Sequence, residues 1–351
     1  MADAAPTMLG TTLERVARRT EALFAIGLVG IIAILLMPLP AGLLSTLIGL
    51  NIALSLLIFL VCVYVKEPLE FNAFPSLLLV TTMFRLGLNV ASTKLILLTG
   101  TGGAVIEAMG NVVVGGNFVV GVVVFVILLI VQLVVVTKGA GRISEVAARF
   151  VLDAMPGKQM AIDADLNAGL ISEKEARARR EKIGQEAEFY GAMDGASKFV
   201  KGDAIAGLII TIVNIAAGFV IGMTMMGMSA EQSISTFALL TIGDGLVSQI
   251  PSIIIAVSSG FLVSKIRSDN TVSFDMTRQM IRHAQPMMIS AGIVAAFAFV
   301  PGLPKIPFIA IAGVFGILSY LLRAEHKKES NAPSEAPVKT TKNDAVPPEE
   351  M

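Results

Sequence analysis

An all-α integral membrane protein is the fold class this sequence predicts, and three observations predict it. The 351 residues are 54% hydrophobic and only 15% charged, without a single Trp, and the mean hydropathy is +0.77. A soluble domain of this size could not bury so much apolar surface. A membrane-spanning helix needs about 20 apolar residues, and stretches of that kind recur along the whole chain. Lys and Arg collect in alternate connections between those stretches, as they do on the cytoplasmic side of membrane proteins.

Eight spans are expected, at 22–39, 43–65, 73–98, 112–136, 204–223, 237–263, 287–303 and 306–322. Residues 1–21 read as a cytoplasmic N-terminus carrying Arg15, Arg18 and Arg19. The apolar run after them is too long for a signal peptide and no A-x-A site follows, so the first span reads as an uncleaved anchor. Lys66 lies between the second and third spans, and Lys265, Arg267, Arg278 and Arg282 lie between the sixth and seventh. Segments 40–42, 99–111 and 224–236 hold no Lys or Arg, so both termini are expected inside; only Lys305 stands against the alternation. The fourth span is rich in Val and Ile but should be helical, because in lipid every backbone group must be satisfied internally. Gly218 and Gly222 form a G-x-x-x-G in the fifth, a spacing that permits close helix approach. The last two spans are short and separated by PGLPKIP, so a re-entrant hairpin competes there. From 323 to 351 the sequence is rich in Pro, Lys, Glu, Asn and Ser and reads as a disordered cytoplasmic linker.

Between the first four spans (22–137) and the last four (204–322) lies a polar block, 138–203. Its first part, 142–152, should continue the fourth span as a helix. MPGK at Met155–Lys158 should break it, since Pro and Gly punctuate helices. Ser172 with Glu175 has the spacing of a capping box and opens a charged helix with (i, i+4) pairs Glu173–Arg177 and Glu175–Arg179. A solvated spacer hairpin is the bland reading. Against it stand the block's length and its apolar positions Phe150, Leu152, Met155, Met160, Ile162, Leu166 and Leu170.

No catalytic motif is present, and no enzyme is expected. Gly157-Lys158 lacks the phosphate-loop pattern, with Leu152 and Gln159 where Gly and Ser or Thr are required. His283 and His326 have no H-E-x-x-H context, and Cys62 has no partner cysteine. Asp153, Asp163 and Asp165 do not match an EF-hand. Neither metal nor cofactor is expected. Ionisable residues inside a membrane are costly and usually functional, which singles out Arg85 with Asn89 one turn later, Asp244 between Gly243 and Gly245, and Asp203 at the start of the fifth span. Each has a plainer role open to it: Asp203 as an N-cap, Lys94 and less readily Arg85 as snorkelling side chains. On the expected topology Asp244 is outermost, Arg85 central and Asp203 innermost, the order a proton relay needs.

The strings FRLGLNVASTKLIL (84–97), VTKGAGRISEVAARFVLDAMPGKQMAIDADLNAGLI (136–171), MDGASKFVKGDAIAGLI (193–209) and LLTIGDGLVSQIPS (239–252) resemble the FlhA/SctV family, also called FHIPEP. Its members are export-gate proteins of bacterial type III secretion. NVAST and KGAGR look like the flagellar branch, with the injectisome branch as the alternative. The resemblance implies an inner-membrane homo-oligomeric ring, nonameric in the family, that couples the proton-motive force to protein export. Its implied partners are other export-apparatus membrane proteins, exported substrates and protons, with no nucleic acid. It assigns coupling to Arg85, Lys198, Asp203 and Asp244. It also makes the polar block the family's cytoplasmic loop, with Arg142, Glu145, Arg149, Asp153, Lys158, Asp163 and Asp165 as interaction candidates. Family members carry a large soluble domain that this sequence does not show, which leaves chaperone docking open. A proton-coupled small-solute transporter and a structural scaffold are the competing readings.

Overall fold

Because lipid offers no hydrogen bonds to the backbone, the chain must satisfy itself by helix, and the computed structural model contains no strand among its described residues. Those residues are 22, 24–114, 118–265, 284–299 and 304–330, side chains excepted at 284 and 323–330. The helices are α1 (Phe24–Leu36), α2 (Ala41–Tyr64), α3 (Phe74–Thr99), α4 (Ala104–Val114), α5 (Phe118–Ile130), α6 (Lys138–Asn167), α7 (Glu173–Thr224), α8 (Ala230–Val263), α9 (Ala284–Phe297) and α10 (Lys305–Ser330). A π-helical turn, Val131–Thr137, joins α5 to α6 without a break. Six described segments are long and apolar enough to cross a membrane.

Residues 1–272 and 273–351 form separate units. In the first, α8 is the central helix and touches α2, α3, α4, α5, α6 and α7. Its sequence explains this position. Ser229 and Gln232 close a full capping box at its start, and its Gly, Ala and Ser residues let neighbours approach closely. Gly243 lies against the backbone of Ile106 and Gly110 on α4, and Gly245 against the Phe125 ring on α5. Gly218 and Gly222 on α7 face Phe237 and Ser233 of α8. Helix α3 ends in a left-handed Gly100 (φ 66°), whose N–H bonds back to Ile96. In the second unit α9 packs on α10, with the Phe297 and Phe308 rings 6.1 Å apart.

The polar block is a helical hairpin with its own small core of Ile162, Ala176 and Ile183, backed by Met155, Leu166 and Ile171. Ion pairs Lys158–Glu186 (2.8 Å), Asp165–Arg179 (3.3 Å) and Asp163–Arg180 cross between its arms. Farther along α7, Phe189, Met193, Ala196 and Val200 join Ile58, Cys62, Phe74 and Leu78 in a shared core. Lys182 also reaches Glu67, 3.3 Å away in the α2–α3 connection. A spacer would have no such anchorage.

Several expectations need correction. The stretch 99–111, read as a loop, holds a short helix, α4, and the apolar helix that follows is described from Phe118 and runs on to Asn167. Pro156 does not break α6, because a helix paired along its length tolerates one missing bond; the turn comes at Ala168–Ser172, where Gly169 adopts φ 72°. Ser172 does cap α7, accepting the Glu175 N–H at 3.2 Å, and Glu175 pairs with Arg179 at 2.7 Å. Glu173 and Arg177 form no ion pair among the described residues. Helix α7 runs unbroken through 203/204, so Asp203 caps nothing. Helix α10 continues to Ser330, into the stretch expected to be disordered. The N-terminal basic cluster, Arg267, Arg278, Arg282, His283, the first three residues of PGLPKIP (301–303) and 331–351 lie outside the described residues.

Candidate functional site: a buried polar column

Helical spacing puts Thr81, Arg85, Asn89 and Ser92 on one face of α3, and all four are buried. Asp203 comes to that face from α7, 118 residues away in sequence; Arg85 Nε donates to Asp203 Oδ2 at 2.7 Å, and Arg85 Nη2 approaches the same oxygen. Both side chains are 3% exposed. Taking two charges out of water is costly and is offset only by good geometry and further hydrogen bonds. Here the account is incomplete, since Asp203 Oδ1 has no hydrogen-bond partner among the described residues.

Asp203 lines a cavity of about 30 Å³ together with Arg85, Asn89, Gln132, Gln249 and Ser252. A second cavity of about 10 Å³ holds Asp244 with Asn51, Ser92, Arg85, Asn89 and Ser248. Arg85, Asn89 and Ser248 line both, so these three residues stand between the two cavities. A water needs at least about 10–15 Å³ and two to four polar partners; the larger cavity meets both conditions and the smaller is at the limit. Gly243 and Gly245 seat α4 and α5 on either side of Asp244, which shuts it away from lipid. Farther along α7, Asn214 is fully buried with neither amide atom partnered among the described residues.

Toward the hairpin, Ser259 Oγ on α8 stands 3.4 Å from both Ser144 Oγ on α6 and Ser197 Oγ on α7. At the other end lies an open groove of about 370 Å³, bordered by Gly100, Glu107, Asn111, Ser235, Thr236 and Leu239. Polar groups thus recur along the bundle, buried at the serines and the two cavities and open to the surface at the groove.

The structure brings Arg85, Asn89, Asp203 and Asp244 together, but not Lys198. That ammonium is exposed and pairs with Asp194 at 2.6 Å; the hydrogen bond and charge of Asp194, and more weakly Glu145, push it above the ordinary lysine range. Arg142, Glu145, Arg149 and Asp153 lie along one exposed face of α6, whereas Lys158, Asp163 and Asp165 are the hairpin's cross-arm pairs. The sequence reading missed the neutral polar lining, Asn51, Ser92, Gln132, Ser248, Gln249 and Ser252, and also Glu107. Gln132 is a polar residue in an otherwise apolar run, and Glu107 is the acid of a segment without Lys or Arg; both were available as signals.

Residues 31–351 match the model of the FHIPEP family. The chain is 50% identical over 323 residues to "Flagellar biosynthesis protein FlhA" of Escherichia coli K12, covering 90% of the chain and 46% of that relative. It is 51% identical to the protein of the same name from Bacillus subtilis, covering 87% and 45%. Against "Low calcium response locus protein D" of Yersinia pestis identity is 42%, covering 91% and 46%. The chain therefore spans a little under half the length of these relatives. No solved structure matches it.

Proposed function

Because the chain belongs to the FHIPEP family, we propose that it is a non-enzymatic inner-membrane subunit of the flagellar type III export apparatus, using proton movement to drive protein export. The observation that carries the reading is the buried Arg85–Asp203 pair, which lines a water-sized polar cavity and leaves one carboxylate oxygen without a partner among the described residues. A purely structural ion pair needs no such cavity. Protonating Asp203 would remove the charge that holds Arg85, and the freed guanidinium borders the second cavity, where Asp244 could receive it. Protons would enter beside Glu107, pass Asp244 and leave past Asp203. The hairpin, rich in Lys and Arg, would face the cytoplasm. Several copies would form a ring with other apparatus proteins, to which exported substrates come. Identities of 50% and 51% to relatives named as flagellar biosynthesis proteins support the flagellar branch.

The test is a chimera in which this chain replaces the matching half of FlhA in Bacillus subtilis. Asp203→Asn and Asp244→Asn should each reach the membrane at normal level and abolish secretion of flagellar proteins. Normal secretion by both would overturn the proton role.

A further inference from the structure

The buried face of the long helix changes phase at the π turn. On α5 it runs through Gly121 and Phe125 to Gln132, in helical steps. The next buried residue is Thr137, five positions on, and the face then continues through Ser144 and Ala148. Five is the π interval. In an unbroken α-helix the face after Gln132 would instead pass through Val136, Ala140, Ile143, Ala147 and Phe150. That alternative face is apolar throughout, yet Ile143 is 45% and Phe150 69% exposed. The face now packed inward is the more polar one, with Ser144 loosely set against Ser259. Gly260, next to Ser259, already has the Ile143 side chain at van der Waals range from where its own Cβ would stand (3.9 Å). The α8 surface there is small enough to take either residue.

We propose that the π turn is a register switch, giving α6 two seatings on α7 and α8 that differ by one residue, and that Gln132 links the choice to the Asp203 cavity. In the present seating the turn is π-helical, Gln132 borders the cavity and Ser144 meets Ser259. In the other, the turn relaxes to α-helix, α6 rotates by about 100°, and Ile143 takes the place of Ser144 while Phe150 turns inward. The charged groups around the moving face are Arg85 and Asp203 at the cavity and Glu145, Asp194 and Lys198 at the hairpin. Neutralising Asp203 weakens its hold on Arg85 and changes the polar surroundings of Gln132, which favours the second seating. The switch rests on the proton reading above and supplies its mechanical output: the proton site and the hairpin share one helix.

The test is disulfide trapping in membranes, with the chimera above carrying Cys62→Ser. With Asp203 intact, the pair Ser144→Cys and Ser259→Cys should cross-link efficiently, and the pair Ile143→Cys and Ser259→Cys poorly. Adding Asp203→Asn should raise the second several-fold at the expense of the first. Deleting Val135 removes the extra residue and should lock the first seating, so that Asp203→Asn no longer raises the second pair; efficient 144–259 cross-linking in that variant shows that it folds. A 143–259 cross-link that never forms, or that forms equally with and without Asp203→Asn, overturns the switch, as does its appearance in the deletion variant. If Asp203→Asn stops secretion while the cross-links stay unchanged, the switch alone falls. If secretion is normal, the proton reading falls with it.

Discussion

At the scale of single residues, the dominant fact is a charge pair shut inside a lipid-embedded bundle. Removing one member of such a pair strands the other, which costs more than the pair itself contributes. Arg85→Met should therefore destabilise the detergent-solubilised protein by about 3–5 kcal/mol, seen as a lower thermal unfolding midpoint. The double variant Arg85→Met with Asp203→Leu should recover most of that loss while remaining inactive in secretion. A double variant as unstable as the single one would mean that the cavity polarity, not the stranded charge, sets the stability. Gly243 tests a second residue-scale claim. A Cβ there would collide with the Ile106 carbonyl, and backbone cannot move aside as a side-chain tip can. Gly243→Ala should lower stability by about 1–3 kcal/mol, whereas Gly292→Ala, with nothing within 4 Å of its Cβ position, should be close to neutral in the same melting experiment.

Elements show what the sequence could and could not reveal. Arg85, Asp203 and Asp244 were legible because charge in an apolar run is conspicuous, and Gly218 with Gly222 because small residues at that spacing stand out. The pairing of Arg85 with Asp203 was not, since nothing local connects residues 118 positions apart. Nor were helix faces. A helix surrounded by lipid and apolar neighbours is apolar all round, so the periodicity that marks a buried stripe in water is silent here; the π turn was lost for that reason, and α4 because its 11 residues are too few for a span. The hairpin, being solvated, was more readable, though Pro156 misled because pairing along α6 outweighs its local cost. Its stability should follow the same division. Exposed ion pairs contribute about 0–1 kcal/mol each, so Asp163→Asn should leave the hairpin almost as resistant to trypsin as before. Ile183 lies in the hairpin core, and Ile183→Ala should cost about 2–5 kcal/mol and open the Arg177–Lys182 stretch to rapid cleavage. Equal cleavage of the two variants would show that charge, not the small core, holds the arms together.

Across the whole molecule, direction decides what the polar column can do. The polar column has a hairpin end and a groove end, and a proton path does useful work only if these open to different compartments. Sequence supplied the direction through charge: Lys138, Arg142, Arg149, Lys158 and their successors crowd one end, and 224–236 at the other has none. The structure supplies probes at both ends, for Leu170 at the hairpin turn is 74% exposed and Met225 after α7 is 80% exposed. Between them α7 runs from the hairpin arm through the fifth span as a single helix of 52 residues. At about 1.5 Å per residue that is long enough to cross the hydrocarbon core of about 30 Å with its hairpin arm to spare. In a Cys62→Ser background, Met225→Cys should therefore react with a membrane-impermeant maleimide added to intact protoplasts. Leu170→Cys should react only after the membrane is opened. The reverse pattern would invert the protein and with it the proposed proton route from Glu107 to Asp203. Labelling of both in intact protoplasts would place the two ends of α7 on one side, and the helix could not then be a span at all.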